Sequence, residues 1–123
     1  MGNTCIRVLA DPVQIKECKT AITNVNERIL KMANIYGLAG NPTRLKILFL
    51  LFKETEMCPC DLSDVLDISV GGISQHLRKL KDGNLVRDKK VGQTIFYSLI
   101  PENIRNIEVV LKNLVDENKT LTV

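Results

Sequence analysis

The most constraining stretch of this chain runs from Asp61 to Leu99. Asp61-Leu62-Ser63-Asp64 supplies a helix N-cap with an acid three residues on, and the short helix it opens, Leu62 to about Leu66, stops at Asp67-Ile68. Ser69 caps a second helix from Val70 to about Lys81, closed by Asp82-Gly83. On that helix Ile73, Leu77 and Leu80 fall at i, i+4 and i+7, so one face must be buried. Two short helices joined by a tight turn form a helix-turn-helix, here over residues 61–82. Beyond it, Leu85-Val86-Arg87-Asp88-Lys89 and Thr94-Ile95-Phe96-Tyr97-Ser98-Leu99 are β-type runs either side of Val91-Gly92-Gln93, a hairpin over 85–99.

The flanking segments complete an order. Residues 1–10 have no helical period and read as an arm. Asp11-Pro12-Val13-Gln14 then gives a cap, a proline at the first helical position and a capping-box glutamine. Ile15, Cys18 and Ile22 share a face of that helix. Asn24 with Glu27 can restart or continue it, and Ile29, Ala33 and Tyr36 carry the stripe to Gly37-Leu38-Ala39-Gly40. Asn41-Pro42 opens a nearly continuous apolar helix through roughly Lys53, central to the core. Pro101 opens the last helix, over 101–118, with Ile104, Ile107, Leu111 and Leu114 at helical spacing. Helix, helix, helix-turn-helix, β-wing, helix is the order of a winged helix: mainly α with a β-hairpin wing.

The 123 residues fit one domain, 1–123. A chain this short buries only about two thirds of its unfolded surface. The stripe Ile104, Ile107, Leu111 and Leu114 has little left to cover inside the protomer, and is expected to form a homodimer interface with the first helix. With 45% apolar and 25% charged residues the composition is that of a soluble globular protein. The longest apolar run, Ile47 to Phe52, is far short of the ~20 residues a membrane span needs. No basic segment followed by an apolar one stands at the N-terminus, so a cytoplasmic location is expected.

Charge is distributed unevenly. Between Gln75 and Gln93 stand six basic residues (Arg78, Lys79, Lys81, Arg87, Lys89, Lys90) against Asp82 and Asp88, a local +4 in a chain of net +3. A basic patch on a nearly neutral body is the footprint of a polyanion binder. Opposite the Ile73-Leu77-Leu80 face the second helix presents Ser74, Gln75, Arg78 and Lys79, with His76 at the flank. Gln pairs with adenine and Arg with guanine in the major groove, while basic groups further along bond phosphates. Arg87, Lys89, Lys90 and Gln93 place the same chemistry on the wing.

The stretches Gly40-Asn41-Pro42-Thr43-Arg44-Leu45-Lys46-Ile47-Leu48, Cys58-Pro59-Cys60-Asp61-Leu62, Ser74-Gln75-His76-Leu77-Arg78-Lys79-Leu80-Lys81 and Thr94-Ile95-Phe96-Tyr97-Ser98-Leu99 resemble the ArsR/SmtB family of bacterial metal-responsive repressors, over roughly residues 28–115. The resemblance implies a homodimeric winged-helix repressor that leaves its operator DNA on binding a metal. Two features depart from the family pattern. Gly71-Gly72 stand where helix-favouring residues are more usual, and the terminal helix has no histidine, so the zinc-type sensory site of the family is absent.

The four cysteines, Cys5, Cys18, Cys58 and Cys60, point to metal or redox chemistry in a reducing compartment. Cys58-Pro59-Cys60 resembles the cysteine-x-cysteine pair of the family's soft-metal sensors. Two thiolates one residue apart chelate one ion and favour Cd, Pb, Hg, As(III) or Cu(I) over Mg or Ca, and Pro59 stiffens the spacing. A disulfide across one residue would be strained. In the cadmium- and lead-sensing branch, N-terminal cysteines of one protomer join the pair of the other, a role that falls here to Cys5 and Cys18. Cys18 has a second reading, as a small buried hydrophobe on a helix face.

The sequence therefore reads as a repressor that releases its operator when a thiophilic metal binds. The alternative is a thiol redox or persulfide sensor of the same fold, in which Cys5 or Cys18 pairs with Cys58 or Cys60. A small thiol enzyme is rejected: there is no Cys/His/Asp arrangement, carboxylate pair or phosphate-binding glycine loop, and no small-molecule substrate is implied. A metal chaperone would need neither helix-turn-helix nor wing.

Overall fold

A computed structural model describes the backbone of residues 5–120 and side chains up to Val115. It divides into two compact units between Lys31 and Met32. The first helix, α1 (Pro12–Ala39), runs through that division without a break at Asn24. In the first unit Asp11 is its cap: one Oδ1 accepts from the backbone N–H groups of Val13 (3.0 Å) and Gln14 (3.1 Å). Val13, Ile22 and Leu30 are exposed on this part of α1.

The second unit takes in the last turns of α1, then α2 (Pro42–Glu54), β1 (Glu56–Met57), α3 (Pro59–Leu66), α4 (Val70–Asp82), β2 (Val86–Val91), β3 (Thr94–Leu99), α5 (Pro101–Ile104) and α6 (Glu108–Thr120). Asn41 caps α2 as its sequence signal requires, accepting from Arg44 N–H at 3.1 Å, with Pro42 in the first turn. One apolar cluster fills the unit: Ile35 and Ala39 of α1, Ile47, Leu48 and Leu51 of α2, Leu62 of α3, the α4 face, and Leu85 and Val86. Ile73, Leu77 and Leu80 are all fully buried, as their spacing demands.

The helix before the turn begins earlier than expected. Cys58 is the N-cap residue and Pro59 stands in the first turn, whereas Asp61 lies inside that turn rather than capping it. Proline's fixed φ is pre-organised for the first helical position, which moves the start upstream. Asp61 then faces the positive end of the helix dipole. At the other end Asp67 is left-handed (φ 57°), and Ser63 Oγ donates to the Ile68 carbonyl across the turn. Ser69 caps α4 by accepting from Gly72 N–H at 3.1 Å. The helix stops at Gly83, where a Cβ would stand 2.1 Å from Leu38 Cδ1 of α1. A side chain at this position would require Leu38 to move aside.

The wing is a three-stranded antiparallel sheet of order β1-β3-β2, with Val91 opposite Thr94 across the Gly92-Gln93 turn and Gly92 at φ 64°. The two-residue strand β1 was not legible in the sequence. It exists because Glu56 and Met57 pair with Ser98 and Tyr97.

The terminal segment corrects two expectations. It is two helices rather than one, with Ile107 N–H bonding the Ile104 carbonyl at 2.9 Å in a tight turn before Glu108. That turn points Ile104 (3% exposed), Ile107 (3%) and Leu111 (0%) into the protomer's own core. These three are consumed by folding and are not available as an interface. Leu114, at 38% exposed, remains on the surface with Val109 and Val110.

Candidate functional site

The buried face of α4 decides what its other face can do. With Ile73, Leu77 and Leu80 in the core, Ser74, Gln75, Arg78 and Lys79 are all exposed. A helix that packs Ile73, Leu77 and Leu80 on one side and leaves an amide, a hydroxyl and two cations on the other is equipped to meet a polyanion with hydrogen-bonding edges. Gly71 and Gly72 do not interrupt its first turn, because the Ser69 cap satisfies the Gly72 N–H.

His76 departs from the expected exposed face. It is half-buried, and its Nδ1 is shut away from solvent with no hydrogen-bond partner among the described residues. Burial lowers its pKa, with the positive charges of Arg44 and then Lys79 adding to the effect. Arg44 is itself tied down, its Nε donating to the Leu38 carbonyl at 2.7 Å. His76 is thus held toward its neutral form and contributes no fixed charge to the surface.

On the wing, Arg87, Lys89, Lys90 and Gln93 are exposed as expected, but not all the cations are equally free. Lys89 Nζ lies 3.7 Å from a Glu56 carboxylate oxygen on β1. Lys81, at the end of α4, bonds Asp88 of β2 at 2.9 Å, which raises the lysine's pKa. Among the described residues, Lys90 and Arg87 have no carboxylate within ion-pair reach. The pairing of Glu56 with Lys89 and of Asp88 with Lys81 is what sequence reasoning missed. Nothing in the linear order of Glu56 and Lys89 signals a pair; only the β1-β3-β2 order brings them together.

The thiols fall into separate groups. Cys58 is half-buried at the cap of α3 and Cys60 is exposed one residue into its first turn. In the first unit Cys5 and Cys18 are both exposed, so the reading of Cys18 as a buried hydrophobe does not hold there. All four are free thiols. Within the described residues of either unit, no three His, Cys, Asp or Glu side chains come together as a metal site. Cys58 and Cys60 are a soft two-sulfur donor set that fits a thiophilic ion but needs further ligands to complete its shell.

Residues 41–88, from the cap of α2 to the middle of β2, match the bacterial regulatory protein, arsR family. The chain is 32% identical over 91 residues, covering 74% of its own length and 71% of the relative's, to the arsenic resistance transcriptional regulator ArsR1 of Pseudomonas putida. It is 31% identical over 78 residues, 63% of this chain and 64% of the other, to the cadmium resistance transcriptional regulatory protein CadC homolog of Staphylococcus aureus. Among solved structures it resembles reduced HlyU from Vibrio cholerae, with 31% identity, a TM-score of 0.66, and coverage of 72% of this chain and 94% of that one.

Proposed function

Because this chain belongs to the arsR family of bacterial regulatory proteins, a group of DNA-binding transcriptional regulators and not enzymes, we propose that it is an operator-binding repressor released by a thiophilic metal ion. The observation that carries the DNA half is the division of α4 into a fully buried apolar face and an exposed Ser74-Gln75-Arg78-Lys79 face, beside a wing of the same charge. Ser74 and Gln75, near the N-terminal half of α4, read base edges. Arg78, Lys79, Arg87, Lys89, Lys90 and Gln93 hold phosphates and set the register.

Two copies bind a pseudo-palindromic site, since a two-fold protein requires a two-fold operator. With Ile104, Ile107 and Leu111 already buried, the dimer surface is drawn from the exposed apolar residues, Leu114 with Val109 and Val110 on α6, and Ile15, Ile22 and Ile29 on α1.

Cys58 and Cys60 are the primary metal ligands, with Cys5 and Cys18 supplying the remaining thiolates. In support, all four are free, and Cys5, Cys18 and Cys60 are exposed. Cadmium, lead, mercury, arsenite and Cu(I) are the ions this donor set suits. The pair also stands at the start of α3, the helix leading into the turn before α4, with Cys58 as its N-cap residue and Cys60 in its first turn, so ligation acts on the element that positions the reader. A coupling of about 1–3 kcal/mol changes operator affinity about 5–150-fold.

A second reading, thiol redox or persulfide sensing, is favoured by the same exposed free thiols and by the likeness to HlyU, whose structure was solved in a reduced form. A gel-shift titration on the DNA upstream of the chain's own coding region separates the two. Release by one of Cd, Pb, Hg, arsenite or Cu(I) under reducing conditions supports the metal. Release only by peroxide or persulfide, reversed by reductant, supports redox, and no retardation at all refutes the operator reading.

A further inference from the structure

A groove of about 720 Å³ opens where the last turn of α2, the wing sheet and the α5–α6 segment meet. Its floor is apolar: Leu51 and Ile104 are buried, while Phe52 and Leu99 are half-buried. Its rim is charged. Glu56, Ser98 and Arg87 lie in one cross-strand row, and opposite residues of an antiparallel pair share a face. The volume is within the roughly 300–1,000 Å³ of small-molecule sites.

The rim charges resolve into pairs and a remainder. Lys89 is matched by Glu56 at 3.7 Å, and Asp88 by Lys81 at 2.9 Å. Of the charged residues that line the groove, this leaves Arg87 and Glu108, one cation and one anion, neither with a counter-charge within ion-pair reach among the described residues. A simple anion would meet Arg87 but be repelled by Glu108, and a simple cation would meet the reverse. The complement of an apolar floor with one open charge of each sign is a molecule that carries both charges and an apolar group.

We propose that this groove binds a small apolar zwitterion, the chemistry of a free apolar or aromatic α-amino acid or a dipeptide of such residues. Its carboxylate pairs with Arg87, its ammonium with Glu108, and its side chain covers Phe52 and the buried Leu51 and Ile104. The site uses neither the thiols nor the α4 surface. Occupancy takes Arg87 out of reach of a phosphate, a consequence that rests on the operator reading above; binding itself does not.

Calorimetric titration of the full chain, without DNA, tests it with L-phenylalanine, L-leucine and L-leucyl-L-phenylalanine against N-acetyl-L-phenylalanine and L-phenylalaninamide. At least one zwitterion binds with one site per chain, and each blocked phenylalanine binds roughly two- to fivefold more weakly than phenylalanine, the worth of one exposed charge pair. Glu108→Gln erases the penalty for the N-acetyl compound and keeps that for the amide, whereas Arg87→Gln does the opposite. Both positions are exposed, and unchanged melting temperatures verify that the variants fold. Absence of binding by all three zwitterions overturns the proposal. So does equal binding of the blocked compounds, or discrimination that neither variant alters.

Discussion

Lys89 and Lys90 are neighbours on β2, yet they should contribute differently to DNA binding. Each phosphate neutralised on duplex DNA adds about 0.9 to the slope of log affinity against log salt. Lys90 is exposed with no carboxylate in reach among the described residues, so each copy releases its full complement of counterions. For two protomers on one operator, Lys90→Ala lowers the slope by about 1.8, or roughly a twelvefold change in relative affinity between about 50 and 200 mM salt. Lys89 must first leave Glu56, 3.7 Å away, and the carboxylate it abandons recruits a cation from solution. Lys89→Ala therefore costs distinctly less, and Glu56→Gln steepens the wild-type slope. Fluorescence anisotropy of a labelled operator duplex across that salt range measures all three, with a scrambled duplex as control. Both lysine variants should weaken the two duplexes alike, because phosphates carry no sequence. An unchanged slope for Lys90→Ala, or a larger loss for Lys89→Ala, refutes the reasoning.

Gln75→Ala should relax base preference at one half-site position by about 1–3 kcal/mol in a competition assay with substituted operators; unchanged preference would mean that another face reads the bases. Cys58→Ser or Cys60→Ser should abolish metal-induced release and spare apo DNA binding, and full response in the double variant would remove these cysteines from the sensor. Cys18→Ser, at an exposed position, should lower metal affinity without moving the melting temperature. Ile107→Asp should unfold the chain rather than yield monomers, costing more than about 4 kcal/mol by circular dichroism, since the side chain is 3% exposed in the protomer's own core. The depressed pKa of His76 makes stability pH-dependent: above its ordinary value of 6.5 both folded and unfolded states are neutral, and as pH falls through that value only the unfolded state gains the proton. The melting temperature should thus drop below neutral pH and level off once the folded state also protonates, and His76→Gln should flatten the profile.

Local signals carried most of this fold. Ser69, Asn41 and Asp11 are caps because a side-chain oxygen can reach a free backbone N–H two or three residues on, a relation contained within a few residues. The Ile73-Leu77-Leu80 spacing likewise settles which side of α4 is left for a ligand. What was not legible depended on distant partners. Strand β1 is two residues long and exists only through Ser98 and Tyr97. The fate of Ile104, Ile107 and Leu111 turned on a tight turn that redirected a stripe inward, which helical spacing alone cannot distinguish from an interface. The Glu56–Lys89 pair follows from sheet order and the Asp88–Lys81 pair from the return of β2 alongside α4, so the balance of charge around the groove is not readable from composition.

The short helix α3 is also a lever. Its eight residues span about 12 Å, and its far end is pinned by left-handed Asp67 and the Ser63 bond to Ile68. Pulling the Cys58 end sideways by about 1 Å would therefore tilt it by roughly 5° about that pinned corner. The six residues from Val70 to Gln75 reach about 9 Å beyond the corner, so a tilt passed on through it would carry the Gln75 backbone through roughly 0.8 Å. The working range of a hydrogen bond, from about 2.7 to 3.2 Å, is narrower than that arc. On the operator reading, a displacement of that size at Gln75 would be large enough to break its bond to a base edge.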